Sequence, residues 1–340
     1  MLEHLDKLSE LNGVSGNEDA VREYILRQIT PLADEISTDN TGSVIALKKG
    51  KRPAPHKLMV AAHMDEVGLI VTYIGDDGML RFDTVGGVDQ RVLCGRHVLI
   101  GDECVAGVIG VVPVHLSSGD ERSKVPDVNK MYIDIGASSR DEAKKLVREG
   151  DFCYFDTDFE KFGDGLLKGK ALDDRAGCAV LIELMKQDYE TDVYFVFTTM
   201  EEVGLRGAGC AAYTVAPDMA IVVESTTAAD IAGVEDDSQV CRVGSGAVIS
   251  FMDRRTIYDR EMYNTALDLA RKKGISAQVK QAVAGGNDAG AIQQTRSGVR
   301  TLAVSLPCRY LHSPASLIAE KDLDAVYELV RELIHTLTQQ

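Results

Sequence analysis

The sequence predicts an α/β fold: an α/β/α domain built on a mixed sheet, carried by both ends of the chain and interrupted by a small inserted β-barrel-like domain. Three observations predict it. Apolar runs that read as buried strands alternate with amphipathic helical stretches before about residue 68 and again after about 166. Between 69 and 165 the texture changes to short β-like runs separated by Gly, Asp and Pro. Near the end, Leu323, Val326, Tyr327, Val330, Leu333, Ile334 and Leu337 have the spacing of one helix face laid on a core. The expected domains are 1–68 with 166–340, and 69–165.

Residues 1–12 and 18–29 read as two amphipathic helices, the second opened by Ser15-Gly16-Asn17 and closed before Pro31. Two short strands over 36–47 flank Asp39-Asn40-Thr41-Gly42, a hairpin-like signal. A strand over 58–62 then reaches His63. Within the insert, 69–73, 98–100, 105–114 and 131–135 are strand-like, 141–148 is the one helical interlude, and 117–130 is a polar loop expected to be mobile. Beyond Gly165, Leu166-Leu167 and Ala171-Leu172 are extended in character, and 178–185 is helix-forming. Asp173 is thus expected at a strand-to-helix junction, where open α/β sheets bind ligands. A helix over 257–273, a strand over 277–283 and the glycine-rich turn 285–290 follow.

The chain has 340 residues, 45% hydrophobic and 26% charged, ordinary values for a globular protein with a sizeable core. Its formal net charge of −16 argues against nucleic acid and anionic membrane as partners. No apolar run approaches membrane-spanning length, and Met1-Leu2-Glu3-His4-Leu5-Asp6-Lys7 lacks the pattern of a secretory signal. Seven scattered Cys without a C-x-x-C read as small buried residues of a reducing compartment, so a cytoplasmic location is expected.

Acids and histidines recur where apolar runs end. The run 57–62 leads into His63-Met64-Asp65-Glu66, 192–200 into Glu201-Glu202, 219–223 into Glu224, and 301–306, after a short loop, into His312. With Asp173-Asp174, five elements deliver Asp, Glu or His to what could be one sheet edge. Each alone has an ordinary explanation: Asp173-Asp174 as a helix cap, Glu201-Glu202 as a solvated pair, a lone His as a packed or surface residue. That ordinary reading is kept for His4, His56, His97, His115 and His335. As a set, the residues point to a co-catalytic metal pair, which needs one bridging carboxylate; Asp173 is the natural bridge. In Glu201-Glu202 one carboxylate can act as general base and the other as ligand, while Asp65 is placed to orient His63.

Ala62-His63-Met64-Asp65-Glu66-Val67-Gly68, Leu172-Asp173-Asp174-Arg175-Ala176-Gly177, Glu201-Glu202-Val203-Gly204, Gly286-Asn287-Asp288-Ala289-Gly290 and Arg309-Tyr310-Leu311-His312-Ser313 resemble, in order, the signatures of the M42 metallo-aminopeptidases. The resemblance covers essentially the whole chain. It implies a metallopeptidase domain of the phosphorylase/hydrolase-like class, with the insert as a dimerisation domain. It also implies two divalent ions, zinc or cobalt with manganese as a further option. Asp173 would bridge them, His63 and Glu224 would complete one ligand set, Glu202 and His312 the other, and Glu201 would be the general base for a metal-bridging hydroxide. Many relatives carry Asp where this chain has Glu224. Short peptides with a free N-terminus are the implied substrates, and a homo-oligomer, a dodecamer built from dimers, the implied assembly. Two rivals are an endo-1,4-β-glucanase-like hydrolase and a catalytically silent scaffold of the same fold. Zero Trp and 6% aromatics fit the first poorly. The second should have lost Glu201 or a ligand, and all are present.

Overall fold

The computed structural model describes residues 1–119 and 123–339. Helices Leu2–Glu10 and Asp19–Ile29 come first, and both bury apolar stripes, Leu5 and Leu8 on one and Val21, Ile25 and Ile29 on the other. The hairpin of β1 (Glu35–Thr38) and β2 (Val44–Lys48) follows, then β3 (Leu58–His63), buried along its whole length.

The chain next forms a closed barrel from β4 (Gly68–Ile74), β5 (Leu80–Val85), β6 (His97–Ile100), β7 (Val105–Gly110), β8 (Tyr132–Asp134) and β9 (Phe152–Phe155). Its strand order is β4-β5-β8-β7-β6-β9, and Leu69, Val71, Leu80, Phe82, Ile109 and Ile133 belong to its separate core. Strands β5 and β9 were not expected from the sequence, and the helix expected over 141–148 is only the short Arg140–Ala143, capped by the Ser139 side chain. The polar loop expected over 117–130 includes residues 120–122, which lie outside the described residues.

After the barrel come β10 (Glu160–Phe162) and β11 (Leu166–Gly169), then helix Leu172–Leu184. Strands β12 (Val193–Thr198), β13 (Met219–Thr227), β14 (Ala247–Ile249), β15 (Ala277–Val279) and β16 (Arg300–Cys308) join the first three in an eight-stranded mixed sheet. Its order is β1-β2-β12-β3-β13-β16-β14-β15. Alternate residues of β3 face two different cores: Val60 and Ala62 pack with helices Leu172–Leu184 and Glu320–Leu337, Met59 and Ala61 with helices Arg206–Val215 and Ala289–Gln293. This is the α/β/α sandwich. Helix Leu172–Leu184 lies in the larger core with most of its residues buried, which explains an apolar run without helical period.

Two expectations need correction. Strand β11 pairs with β10 and β17 (Ser316–Ala319) in a separate three-stranded sheet, so Asp173 does not leave the edge of the main sheet. Of the seven free cysteines, Cys94, Cys104 and Cys210 are exposed rather than buried. Among the described residues no helix is long and apolar enough to cross a membrane.

Candidate metal centre

Parallel pairing brings strand ends together. Strand β3 sets His63 beside Thr198 of β12 and Ala61 beside Val222 of β13. Beyond those pairs the chain runs from β12 into Met200-Glu201-Glu202, and β13 carries Glu224.

His63 is buried, with Nδ1 3.1 Å from the Asp65 carbonyl oxygen and 3.4 Å from Asp65 Oδ1. Its Nε2 faces Asp173 Oδ1 at 3.3 Å and Glu224 Oε1 at 3.5 Å. His312 Nε2 lies 3.3 Å from Asp173 Oδ2 and 3.2 Å from Glu202 Oε2. One carboxylate therefore turns one oxygen to each histidine, and each histidine has a glutamate of its own. None of the other five histidines joins such a group among the described residues. Ala171, Met200 and His312 adopt φ of 54°, 55° and 56°, a left-handed conformation that side chains disfavour and that gathers at functional sites. The Asp173–Asp174 peptide is cis, and neither residue is helical.

Burial pushes Glu202 and Glu224 up to about 8; the histidines oppose it and Asp173 adds repulsion. Burial likewise holds Glu201 well above the usual carboxyl range, with Glu224, Asp288 and Glu202 adding to it and His63 opposing. For Asp173 burial is outweighed by hydrogen bonds from His312 and His63, which hold it low. His312 reaches about 9 against its own burial through Asp173 and Glu202, and His63 is raised by Glu224, Asp173 and Asp65 against the same penalty. The carboxyls outnumber the cationic groups, so the cluster is short of positive charge.

A divalent cation fits this donor set. Glu224 Oε2 and Asp174 Oδ2 are buried without a hydrogen-bond partner among the described residues. Donor atoms of His63, Asp173 and Glu202 all lie within 4.8 Å of one another, as do those of His63, Asp174 and Glu224. Imidazole and carboxylate with surplus negative charge suit zinc and its neighbours. Asp174 was not among the expected ligands.

Several supporting residues escaped sequence reasoning. The Asp65 carboxylate accepts Ser15 Oγ at 2.5 Å and the backbone N–H groups of Glu201 and Glu202 at 3.0 and 3.1 Å. Glu18 Oε1 accepts the Met200 N–H at 3.2 Å. The N-terminal segment thus helps pin the Glu201-Glu202 turn, a long-range pairing with no local signal. Arg175, fully buried, donates to the carbonyls of Met64, Leu8, Leu11 and Gly13 and to Glu66. The barrel adds a wall of backbone: a Cβ on Gly86 would stand 3.3 Å from Glu202 Cβ, and one on Gly87 3.4 Å from His312 Nδ1. Glu201 shares a cavity with Asp173, Glu224 and His312.

The profile of the M42 glutamyl aminopeptidase family matches residues 42–329. A protein of Acetivibrio thermocellus is 42% identical over 98% of both chains. The lysyl aminopeptidase of Pyrococcus furiosus is 34% identical, over 98% of this chain and 97% of its own. Among solved structures, the Pyrococcus horikoshii TET1 peptidase, described as assembling into a tetrahedron or a large octahedral shell, superposes with a TM-score of 0.86 at 35% identity, covering 98% of each chain. A Thermotoga maritima protein described as an endoglucanase superposes at 0.82 with 38% identity, over 98% of this chain and 97% of its own.

Proposed function

The chain belongs to the M42 peptidase family and is an aminopeptidase, a hydrolase; we propose that it removes single residues from the free N-termini of short peptides, with two divalent ions held about Asp173. The division of the Asp173 carboxylate between His63 and His312 carries this reading. In it Asp173 would be shared between the two ions, His63 and Glu224 would complete one ligand set, and Glu202 and His312 the other. Zinc or cobalt suit these donors, with manganese a further option.

When bound, such ions lower the pKa of water and polarise the scissile carbonyl. Glu201 lines the same cavity, and burial raises its affinity for a proton. Its carboxylate takes the proton of the attacking water and returns it to the leaving amine nitrogen. The surplus negative charge attracts the free α-ammonium of the peptide, so an N-acetylated peptide, lacking that charge, is a poor substrate. Asp65 touches no reacting atom and acts as a positioning residue through His63 and the Glu201-Glu202 turn. Glycoside hydrolysis needs two carboxylates flanking a sugar. Here the carboxylates gather about two histidines, which favours peptide hydrolysis over the endoglucanase description of one relative.

We also propose a homo-oligomer, a dodecamer built from dimers, in which the domain 69–165 supplies dimer contacts. Val108, Val112, Val114, Leu116 and Val125 are exposed there, apolar surface of the kind closed assemblies hide. The shells formed by the TET1 relative support it. A strictly monomeric, fully active protein in light scattering would refute the assembly alone. A cytoplasmic location fits a chain whose seven cysteines are all free.

The test of the chemistry is metal content by mass spectrometry together with turnover of leucine p-nitroanilide. Two ions per chain and chelator-sensitive turnover are expected, and Asp173→Ala should weaken both ions. Loss of one ion only would exclude Asp173 as the bridge, and turnover indifferent to chelator would overturn the metal reading.

A further inference from the structure

We infer that the ion pair of Asp230 and Arg309 positions His312: it fixes the base of the loop that carries this histidine, and so decides how firmly the ion on that side of Asp173 is held. The inference rests on the two-ion reading above and goes beyond it to residues that belong to neither ligand set.

His312 depends on its loop more than the other proposed ligands depend on theirs. His63 ends β3 and Glu224 lies within β13, and both are held by ladder bonds to neighbouring strands. Glu202 sits in the turn bonded to Asp65. Residues 310–315, by contrast, belong to no strand or helix. The His312 side chain is 33% exposed, against 11% or less for His63, Asp173, Glu202 and Glu224, so packing does little to fix it. A ligating imidazole is ordinarily oriented by a bond to its second nitrogen. His63 has Nδ1 at 3.1 Å from the Asp65 carbonyl, whereas His312 Nδ1 has no hydrogen-bond partner among the described residues. The direction of the His312 ring is therefore set by its backbone. That backbone is strained: Tyr310 and His312 adopt φ of 60° and 56°, conformations that persist only where the surroundings over-determine them.

Those surroundings meet at Arg309. Its N–H donates to the Leu317 carbonyl at 2.9 Å and its carbonyl accepts the Leu317 N–H at 3.1 Å, which closes the loop at its base. Within the loop Ser313 Oγ bonds the Tyr310 and Ala315 carbonyls at 2.6 and 2.8 Å. The Arg309 side chain reaches out of the loop, where Nε donates to Asp230 Oδ1 and Nη2 to Asp230 Oδ2, both at 2.7 Å. A two-pronged pair of this kind fixes direction as well as distance. The Asp230 side chain is 9% exposed, so water competes weakly for it. Asp230 is itself rooted just past β13: the Ala228 N–H donates to the Cys308 carbonyl at 2.8 Å, and Asp230 Oδ2 also accepts the Val243 N–H at 3.0 Å. The pair thus ties the His312 loop to the end of β13. Glu224 lies earlier in the same strand, in a ladder that breaking the pair leaves intact. Loss of the pair should reach the ion of Glu202 and His312 and spare the ion of His63 and Glu224.

The test is metal retention. Zinc-loaded holoenzyme, wild type and variant, is dialysed against zinc buffers of graded free concentration, and the ions per chain are counted by mass spectrometry. Arg309→Met and Asp230→Ala should each weaken one ion by about 10–100-fold, the scale of losing a partner that supports a metal ligand, and leave the other unchanged. Their combination should lose no more than either alone, since both break one pair. Arg309→Lys keeps the charge and loses the fork, so it should show the same one-sided loss at smaller size, even where the other variants fold poorly. His312→Ala identifies the ion concerned: added to it, Arg309→Met should leave the remaining ion unchanged. Two ions held as in wild type, or both weakened alike, overturn the inference and leave the two-ion reading standing. A raised KM with both ions retained also overturns it, and would make Arg309 a substrate contact. A wild type that never holds more than one ion instead refutes the reading on which the inference rests.

Discussion

Replacing Asp65 tests whether the Glu201-Glu202 turn owes its position to one buried carboxylate. That carboxylate is fully buried and receives three donors, Ser15 Oγ and the N–H groups of Glu201 and Glu202. Hydrogen bonds to a charged group contribute about 1.5–3 kcal/mol each. Because the three share one acceptor, their loss is not additive, and Asp65→Ala should cost about 3–5 kcal/mol. Asp65→Asn keeps one acceptor oxygen but faces an N–H or hydroxyl with its amide, so it should cost about half as much. A loosened turn also displaces Glu201 and Glu202, and loss of such a supporting partner lowers activity or metal affinity by about 10–100-fold. Urea unfolding at saturating metal, with kcat and metal affinity measured on the same samples, separates the two effects. A stability loss below ~1 kcal/mol refutes the hydrogen-bond accounting. Full kcat and metal affinity in a destabilised variant would show that the carboxylate supports the fold without positioning the turn.

Other expectations are simpler to state. Glu201→Gln should retain the fold and most metal while kcat falls by roughly 10²–10⁴; near-normal kcat with metal bound would end the assignment of Glu201 as base. Arg175→Met should destabilise the protein by about 2–4 kcal/mol, since it removes one donor each from four carbonyl groups and from Glu66, which keeps Lys170, and a urea midpoint close to wild type would contradict it. Asp259 is held below the usual carboxyl range by Arg300, against its burial, and by the Met262 N–H it caps. A depressed folded pKa contributes stability above the unfolded value of about 3.9 and loses it as pH falls through the folded value. Asp259→Asn should therefore be destabilised at pH 7 and much less so at pH 3, and an equal loss at both pH values would rule the linkage out.

How far the sequence could be read depended on whether a residue's role is local. His63, Glu201 and Glu224 stand just past or within apolar runs whose strand character is plain, so their meeting at adjacent strands follows from α/β topology. Asp173 was legible as a carboxylate at a junction, but its strand was assigned to the wrong sheet, because Leu166-Leu167 pairs with residues 318–319, far away in sequence. Strand β5, Leu-Arg-Phe-Asp-Thr-Val, alternates buried and exposed residues and could have been found; β9 is short and pairs only with distant strands. Ser15 and Glu18, read as part of a helix start, turned out to brace a turn far along the chain.

The carboxylate that faces both His63 and His312 also sets a timetable. Ribosomes add about 5–20 residues per second and domains fold as they emerge, so the roughly 140 residues between Asp173 and His312 impose a delay on the order of 10 s. At its start the barrel residues have been made but the sheet still awaits β12, β13 and β16, and to its end the centre lacks the second imidazole. On the proposed ligand set the centre is thereby incomplete while the chain's own N-terminus, and those of its neighbours on the same message, are newly exposed. On that same set, placing His312 near the end of the polypeptide makes near-completion of synthesis a condition for completing the centre.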